Sequence, residues 1–399
     1  MLDRSKFPNM SAKRISALQQ ILKENGADGA LYATSAAFVY LLDIPDFWFQ
    51  RYSVTVGPFT QFATPTLTRP ESILWVPAEG EPAVFTVPGR AAELKATASC
   101  PVITCYADYF ANYLEGYLHG GTVAVGLSCR SQLEKIAKQA NQYHKEPLKL
   151  IYGEPFTDRL RCIKDDKEVA LLAHAAAFTD WVMEQLVPML KPGVTPFQVE
   201  DRIQQLAMEA GAADLSFAGN CICVEKGHPT SYNPYIFPKD RPLKKGTGVA
   251  FDMGFVLNGY CSDYGRSFYI GEPSKEAQDC YRALQKAVVW AADHIVPGKT
   301  LVNEASDLVF EGLKQSGKQL MLRNHEDGVQ GHQIGLEVHE DPWLCRSTAR
   351  EPFRPGMVFC LEPKIFVYDE IYLRVEDMIH ITETGAEFLT KFDRELFQL

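Results

Sequence analysis

Two aspartates, Asp252 and Asp263, stand in the stretch "FDMGFVLNGYCSDYG", residues 251–265. The rest of that stretch is mostly apolar or aromatic. Aspartate is poor in strands and costly to bury without a partner. Asn258-Gly259 lies between them, flanked by strand-forming residues, and is the strongest short hairpin signal a sequence offers. A two-residue loop there sets Leu257 against Tyr260 and Gly254 against Asp263. Asp252 lies two residues further along the same face. The two carboxylates become diagonal neighbours, roughly 7–8 Å apart at Cα. Like charges at that separation repel unless a cation sits between them. Two acids on a solvated face are the alternative.

Three more segments carry related chemistry. "GHQIGLEVHE", residues 331–340, places His332 and His339 among glycines and apolar residues. In "PGMVFCLEPKIF" Glu362 ends an apolar strand, and in "IYLRVEDMIHIT" Glu376 interrupts another. The two glutamates are equidistant from Asp369. Strands paired through an odd-numbered loop centred there bring them face to face. Four carboxylates and one imidazole form a mixed oxygen and nitrogen set, suited to Mn, Fe, Co or Zn. Four negative charges balance two divalent cations, so a dinuclear centre is expected.

These blocks resemble the signature segments of the M24 peptidase family. The resemblance rests on "FDMGFVLNGYCSDYGRS", "GHQIGLEVHE", "CLEPKIF" and "YLRVEDMIHITETGAEFLT". That family has the pita-bread, creatinase/aminopeptidase fold and includes methionine aminopeptidase, aminopeptidase P and prolidase. The resemblance implies that Asp252, Asp263, His332, Glu362 and Glu376 are the metal ligands. It implies two divalent ions, manganese first, with cobalt, zinc or iron as alternatives. Glu362 would move the proton from the attacking water to the leaving nitrogen. His339 would bind substrate or stabilise the oxyanion. Arg374 precedes Glu376 by two and shares its strand face, where it would orient that glutamate, meet a substrate carboxylate or form a plain salt bridge.

Three departures concern the substrate side. Phe366 stands where prolidase-like members carry a tyrosine. Tyr232-Asn233-Pro234 resembles the creatinase "HNP" with tyrosine for histidine, and His228 fills that role only if its loop is shifted. Gln333 replaces a glycine, and "SDYGRS" stands for "SDxTRT". The activity implied is that of a Xaa-Pro dipeptidase acting on short peptides. Aminopeptidase P, or a non-peptide hydrolase or lyase similar to ectoine hydrolase or dimethylsulfoniopropionate lyase, are the alternatives. A binding module on the same fold is a further class, disfavoured by five intact ligands. Prolidase-type members are commonly homodimers, and a homodimer is expected.

The elements around these residues read as two domains. Residues 11–25, "SAKRISALQQILKEN", place Ile15, Leu18, Ile21 and Leu22 on one helical face. Gly26 ends that helix and "GALYA" follows as a strand. Short β-type segments then run from "SVTV" to "TVAVGL", with helical stretches among them. Residues 1–155 are therefore expected to form an α/β domain. "RISALQQILKENGADGALYATSAAFVYLL" is similar to the creatinase-type N-terminal domain of prolidases. Residues 156–399 are expected to form the α+β pita-bread domain. In it "LKPGVTPFQVEDRIQQLAMEAG" and "IVPGKTLVNEASDLVFEGLKQSG" both read as a helix end, Pro-Gly-x-Thr, an amphipathic helix and a glycine. That repeat predicts an internal duplication with pseudo-twofold symmetry and a cleft between halves. Asp165 or Asp166 should cap the first long helix, and Thr195 the next.

Composition is that of an ordinary globular protein, with 46% hydrophobic and 23% charged residues. The net charge of −10 argues against a nucleic-acid partner, which needs clustered Lys and Arg. The first residues lack the apolar core of a signal peptide, and no apolar run is long enough to span a membrane. A cytoplasmic protein is expected. The ten cysteines are scattered without a CxxC pair, as reduced buried thiols would be. Cys221 and Cys223 read as same-face strand residues rather than a metal pair. The aromatic run from Asp46 to Tyr52 reads as core packing or an oligomer contact around Phe47, Trp48 and Phe49.

Overall fold

A computed structural model describes residues 6–44, 70–212, 214–325, 328–395 and 397–399. The aromatic run 46–52 and the "SVTV" segment lie outside the described residues. The chain divides into two compact units, one ending at Arg161 and one beginning at Cys162.

The first unit holds α1 (Ser11–Glu24), β1 (Gly29–Ala33), α2 (Ala36–Leu42), β2 (Ser72–Pro77), β3 (Ala83–Thr86), α3 (Pro88–Thr97) and β4 (Val102–Thr104). After these come α4 (Phe110–Leu114), β5 (Gly121–Val125), α5 (Arg130–Ala140), β6 (Leu148–Tyr152) and α6 (Glu154–Arg161). Its sheet has the order β4-β3-β2-β1-β5-β6, and β1 runs antiparallel to β2 and parallel to β5. The buried face of α1 is the predicted one: Ile15, Leu18, Ile21 and Leu22 point inward. The expected boundary near 155 falls at the start of α6. That helix packs on α1 and α2, so the units part only after it.

The second unit opens with α7 (Asp166–Leu186) and α8 (Pro196–Glu209). Asp165 caps α7 in a reciprocal capping box with Glu168, and Thr195 caps α8 in the same way with Gln198. Such caps each contribute about 1 kcal/mol. Strands β7 (Asp214–Leu215), β8 (Asn220–Glu225), β9 (Thr247–Asp252), β10 (Phe255–Leu257), β11 (Tyr260–Cys261) and β12 (Ser267–Ile270) complete one half. The other half repeats the plan with α9 (Lys275–Asp293), α10 (Ala305–Lys314), β13 (Gly331–Gln333), β14 (Glu340–Trp343), β15 (Val358–Leu361), β16 (Lys364–Val367), β17 (Ile371–Arg374), β18 (Asp377–Ile381) and β19 (Ala386–Phe388). The predicted duplication is thus present, with a local difference. Thr195 caps its helix, whereas the hydroxyl of Thr300 accepts the backbone N–H of Val296 and a 3₁₀ turn, Val302–Glu304, precedes α10.

Each half has its own core. One is built on Val199, Ile203, Phe251, Phe255 and Phe268, the other on Leu284, Val309, Phe359, Leu373 and Ile379. Where the halves meet, Ile222, Val224, Ala250 and Tyr372 form a small cluster with Phe366 against it. Cys221 and Cys223 lie side by side in the first of these cores, 3.8 Å apart at sulfur, as same-face strand residues. Among the described residues no helix is long and apolar enough to cross a membrane.

Candidate metal centre

The hairpin has the predicted register. Asn258 and Gly259 both have positive φ, 53° and 93°, as a tight two-residue turn requires. Leu257 faces Tyr260, Val256 faces Cys261 and, beyond them, Met253 bridges Tyr264. Gly254 therefore opposes Asp263. A Cβ at Gly254 would fall 2.0 Å from the Ser262 carbonyl oxygen, so only glycine permits this close approach. On its other edge β9 pairs with β8, with Asn220 opposite Asp252.

The glutamates also meet as the spacing demands. In β16 and β17 Lys364 faces Arg374 and Val367 faces Ile371, around a turn whose central residue, Asp369, has φ 56°. In β15 and β18 Leu361 faces Asp377. Glu362 and Glu376 occupy the opposed positions between these two ladders. His332 joins them from β13, which pairs with β15. Its Nε2 lies 3.4 Å from Asp263 Oδ2 and 4.0 Å from Glu362 Oε1. Its Nδ1 is 2.9 Å from the backbone oxygen of Gln333. A carbonyl there calls for the proton on Nδ1 and leaves the Nε2 lone pair directed at the carboxylates, the tautomer a metal ligand needs.

These residues fit a metal. Asp263 Oδ1 and Glu376 Oε1 are buried without a hydrogen-bond partner. Leaving such oxygens unmet is costly, and a bound cation would satisfy them. Asp263, His332, Cys360 and Glu376 each bring a ligand atom within 4.8 Å of the others. Cys360 was not expected. It lies two residues before Glu362 and directly across from His332, so it shares their face. Burial and the carboxylates of Asp263 and Glu376 push its thiol well up.

The charges are unevenly held. Burial, then Asp252, push Asp263 well above the usual carboxylate range. Burial likewise raises Glu376, against the opposing pull of Arg374. Burial would raise Glu362 too, but Lys364 and Arg374 outweigh it and hold its carboxyl below the usual range. Arg374 Nη2 donates to Glu362 Oε2 at 2.8 Å, Nε to Glu376 Oε2 at 2.8 Å, and Nη1 to Asp252. Of the readings expected for Arg374, these contacts are salt bridges, one of them to Glu376.

The family model for metallopeptidase family M24 matches residues 170–383, more than half of the chain. The chain belongs to family M24. It is 32% identical over 243 residues to the uncharacterised peptidase YqhT of Bacillus subtilis, an alignment covering 61% of this chain and 66% of that relative. Its fold is similar to that of a Xaa-Pro dipeptidase from Bacillus anthracis, with a TM-score of 0.79, 22% identity, and 98% and 100% of the two chains covered. A prolidase from Thermococcus sibiricus gives a TM-score of 0.77 at 25% identity, covering 98% of this chain and 99% of the other. The architecture is the two-domain pita-bread fold, and its structural likeness is to prolidases.

The remaining M24 signature residues fall around this centre in different ways. His339 lies beside His332, ring centroids 4.2 Å apart, and stacks on Trp343 at 5.1 Å with an 8° interplanar angle. Burial and the neighbouring His332 push His339 down to about 2, so it is neutral at physiological pH. Trp343 was not foreseen. Gln333 points to the face opposite His332. Its amide accepts from Lys164, which also pairs with Glu340 at 3.1 Å, so the M24 glycine position here anchors the histidine loop. His228 turns into its own loop, with Nδ1 2.7 Å from Thr230 Oγ1. Tyr232 is 61% exposed. Among the described contacts neither touches the five expected ligands. The "YNP" segment instead delivers Tyr235, whose hydroxyl lies 3.2 Å from that of Tyr372. Tyr372 stands directly across from Phe366.

Proposed function

We propose that this protein is a Xaa-Pro dipeptidase that cleaves the bond before proline in a dipeptide. The observation that carries the reading is the convergence of Asp252, Asp263, His332, Glu362 and Glu376, with two buried carboxylate oxygens left for a cation. These five would hold two divalent ions, with manganese as the first candidate. Such ions supply Lewis acidity and a water acidic enough to lose its proton near neutral pH.

The chain's own residues supply the rest. Glu362 is ionised and buried at the centre of the site, so it can take a proton from water and return it to the leaving nitrogen. Neutral His339 keeps an N–H for the substrate carbonyl oxygen, and Trp343 fixes its plane. Arg374 holds three carboxylates in place, so the protein side of the site is ordered before substrate arrives.

The test is proline release. Chelator-treated protein is reloaded with Mn, Co or Zn and offered Ala-Pro, Leu-Pro, Ala-Ala and an Ala-Pro-Ala tripeptide. Metal-dependent cleavage of the Xaa-Pro dipeptides alone is expected. Cleavage of the tripeptide would move the activity to aminopeptidase P. Failure on every peptide, with metal bound, would overturn the peptidase reading in favour of a non-peptide substrate.

A further inference from the structure

His119 and His144 stand in the turns that lead into β5 and β6, neighbouring parallel strands of the first unit. His119 lies between α4 and β5, and His144 between α5 and β6. Gly121 pairs with Leu148 at the start of the ladder, and its N–H donates to the Pro147 carbonyl at 2.9 Å. Gly120 has φ 81°, and a Cβ there would fall 2.5 Å from Glu146 Cβ. Glycine is what lets the two turns approach this closely. The second turn is also held. The His144 N–H donates to the Asn141 carbonyl at 3.0 Å, and Asn141 Nδ2 to the Glu146 carbonyl at 3.1 Å.

This frame brings two imidazoles together. His119 Nδ1 lies 3.3 Å from His144 Nε2, with ring centroids 4.6 Å apart and planes at 78°. His144 Nε2 is also 3.2 Å from the Glu115 carbonyl oxygen. Both distances exceed the roughly 2.9–3.0 Å of a well-formed hydrogen bond from nitrogen. No single proton satisfies the three atoms. On His144 Nε2 it is shared between two acceptors. On His119 Nδ1 it leaves the His144 Nε2 lone pair facing a carbonyl oxygen. Asn141 Oδ1, in the turn that carries His144, is buried with no hydrogen-bond partner among the described residues. His119 is exposed and His144 half-buried, so solvent and ions reach the pair.

We infer that His119, His144 and the Glu115 carbonyl form a site for a divalent transition cation such as zinc, nickel or copper, built by the first unit alone. A cation accepts all three lone pairs at once. Two nitrogens held at about 2.0–2.1 Å by a tetrahedral zinc stand roughly 3.3–3.4 Å apart, the spacing these two already have. Imidazole favours zinc, nickel and copper, whereas magnesium and manganese favour carboxylates and water. Water completes the shell and would supply the donor that Asn141 Oδ1 lacks. The five expected ligands of the M24 centre all belong to the second unit, so the two sites share no residue. The cation ties the turn after α4 to the turn after α5. Because it binds the folded arrangement, it stabilises the protein by mass action.

The experiment loads the full-length protein with manganese, then titrates wild type, His119→Ala and His144→Ala with zinc by calorimetry. Bound metal is counted after dialysis. Zinc that displaces manganese from the M24 centre does so in all three, so their difference reports the histidine pair. Wild type should hold one zinc per chain more than either variant, or bind it at least about 10-fold more tightly. Zinc should raise the melting midpoint of wild type more than that of the variants, while in chelator the three melt together. His144→Asn repeats the test with a side chain closer in size. Equal zinc content, affinity and midpoint shift in all proteins overturn the site. So does histidine-dependent binding at millimolar zinc alone, which means an adventitious ion only. One zinc per two chains, with zinc-driven dimerisation in sedimentation, also overturns it by placing the histidines between copies. Peptide cleavage is not read, so the dipeptidase reading stands or falls separately.

Discussion

Glu362 is surrounded by groups that favour its charge: the Lys364 ammonium, Arg374 Nη2 at 2.8 Å and His332. Replacing its carboxylate by an isosteric amide removes the proposed base and leaves the shape. Glu362→Gln should lower kcat on Ala-Pro by about 10²- to 10⁴-fold, with the melting midpoint little changed. Metal content measured on the same sample separates lost proton transfer from lost binding. A variant with full metal and near wild-type kcat would remove Glu362 from the proton path. The four acids among the expected ligands were legible because an acid inside an apolar strand has few structural uses. Cys360, Trp343 and Tyr235 were not, because a cysteine or aromatic residue in an apolar run looks like core. Only their neighbours across the sheet give them another meaning.

The hairpin through Asn258-Gly259 sets the register that places Asp252 and Asp263 on one face. Gly259 has φ 93°, which a β-branched residue reaches only under strain. Gly259→Val should cost about 1–3 kcal/mol in stability and lower metal content together with activity. Unchanged denaturant unfolding would show that the turn does not set the register. Asn258→Gly, which keeps the backbone freedom, should be nearly silent. Element positions followed the sequence closely wherever a cap or turn residue carried a local mechanism, as at Asp165, Thr195 and Gly26. They departed where that mechanism was borrowed by tertiary structure. Pro-Gly-x-Thr recurs, yet Thr300 bonds Val296 and caps no helix.

At the scale of the whole second unit, Asp180 on α7 accepts the backbone N–H groups of Lys391 at 2.6 Å and Phe392 at 3.1 Å, pinning the C-terminal segment. Burial pushes its carboxyl up to about 6, against those two hydrogen bonds. The folded protein then holds this proton more tightly than the unfolded chain does. The contribution to stability is complete below about pH 4 and is lost as pH rises through about 6. The melting midpoint of wild type relative to Asp180→Asn should therefore fall between pH 4 and pH 7. A pH-independent difference between the two would contradict that sign.

The reading of the acids as metal ligands rested on the resemblance to family M24; the chain alone determined their two strand registers, the helix caps and the repeated helix–strand plan. Each follows from local rules of periodicity, turn chemistry and capping, which need no distant partner. Tertiary structure decided which basic side chains engage the acids of the candidate site and which, among the described residues, do not. Arg374, Lys364 and Arg323 are equivalent as basic residues in the chain. Their different contacts arise because β17, β16 and the segment of Leu322, which bridges Ile365, stack them at increasing distance from the carboxylates. Whether a cation neutralises an acid depends on separation and burial, and both are set by packing between segments far apart in sequence.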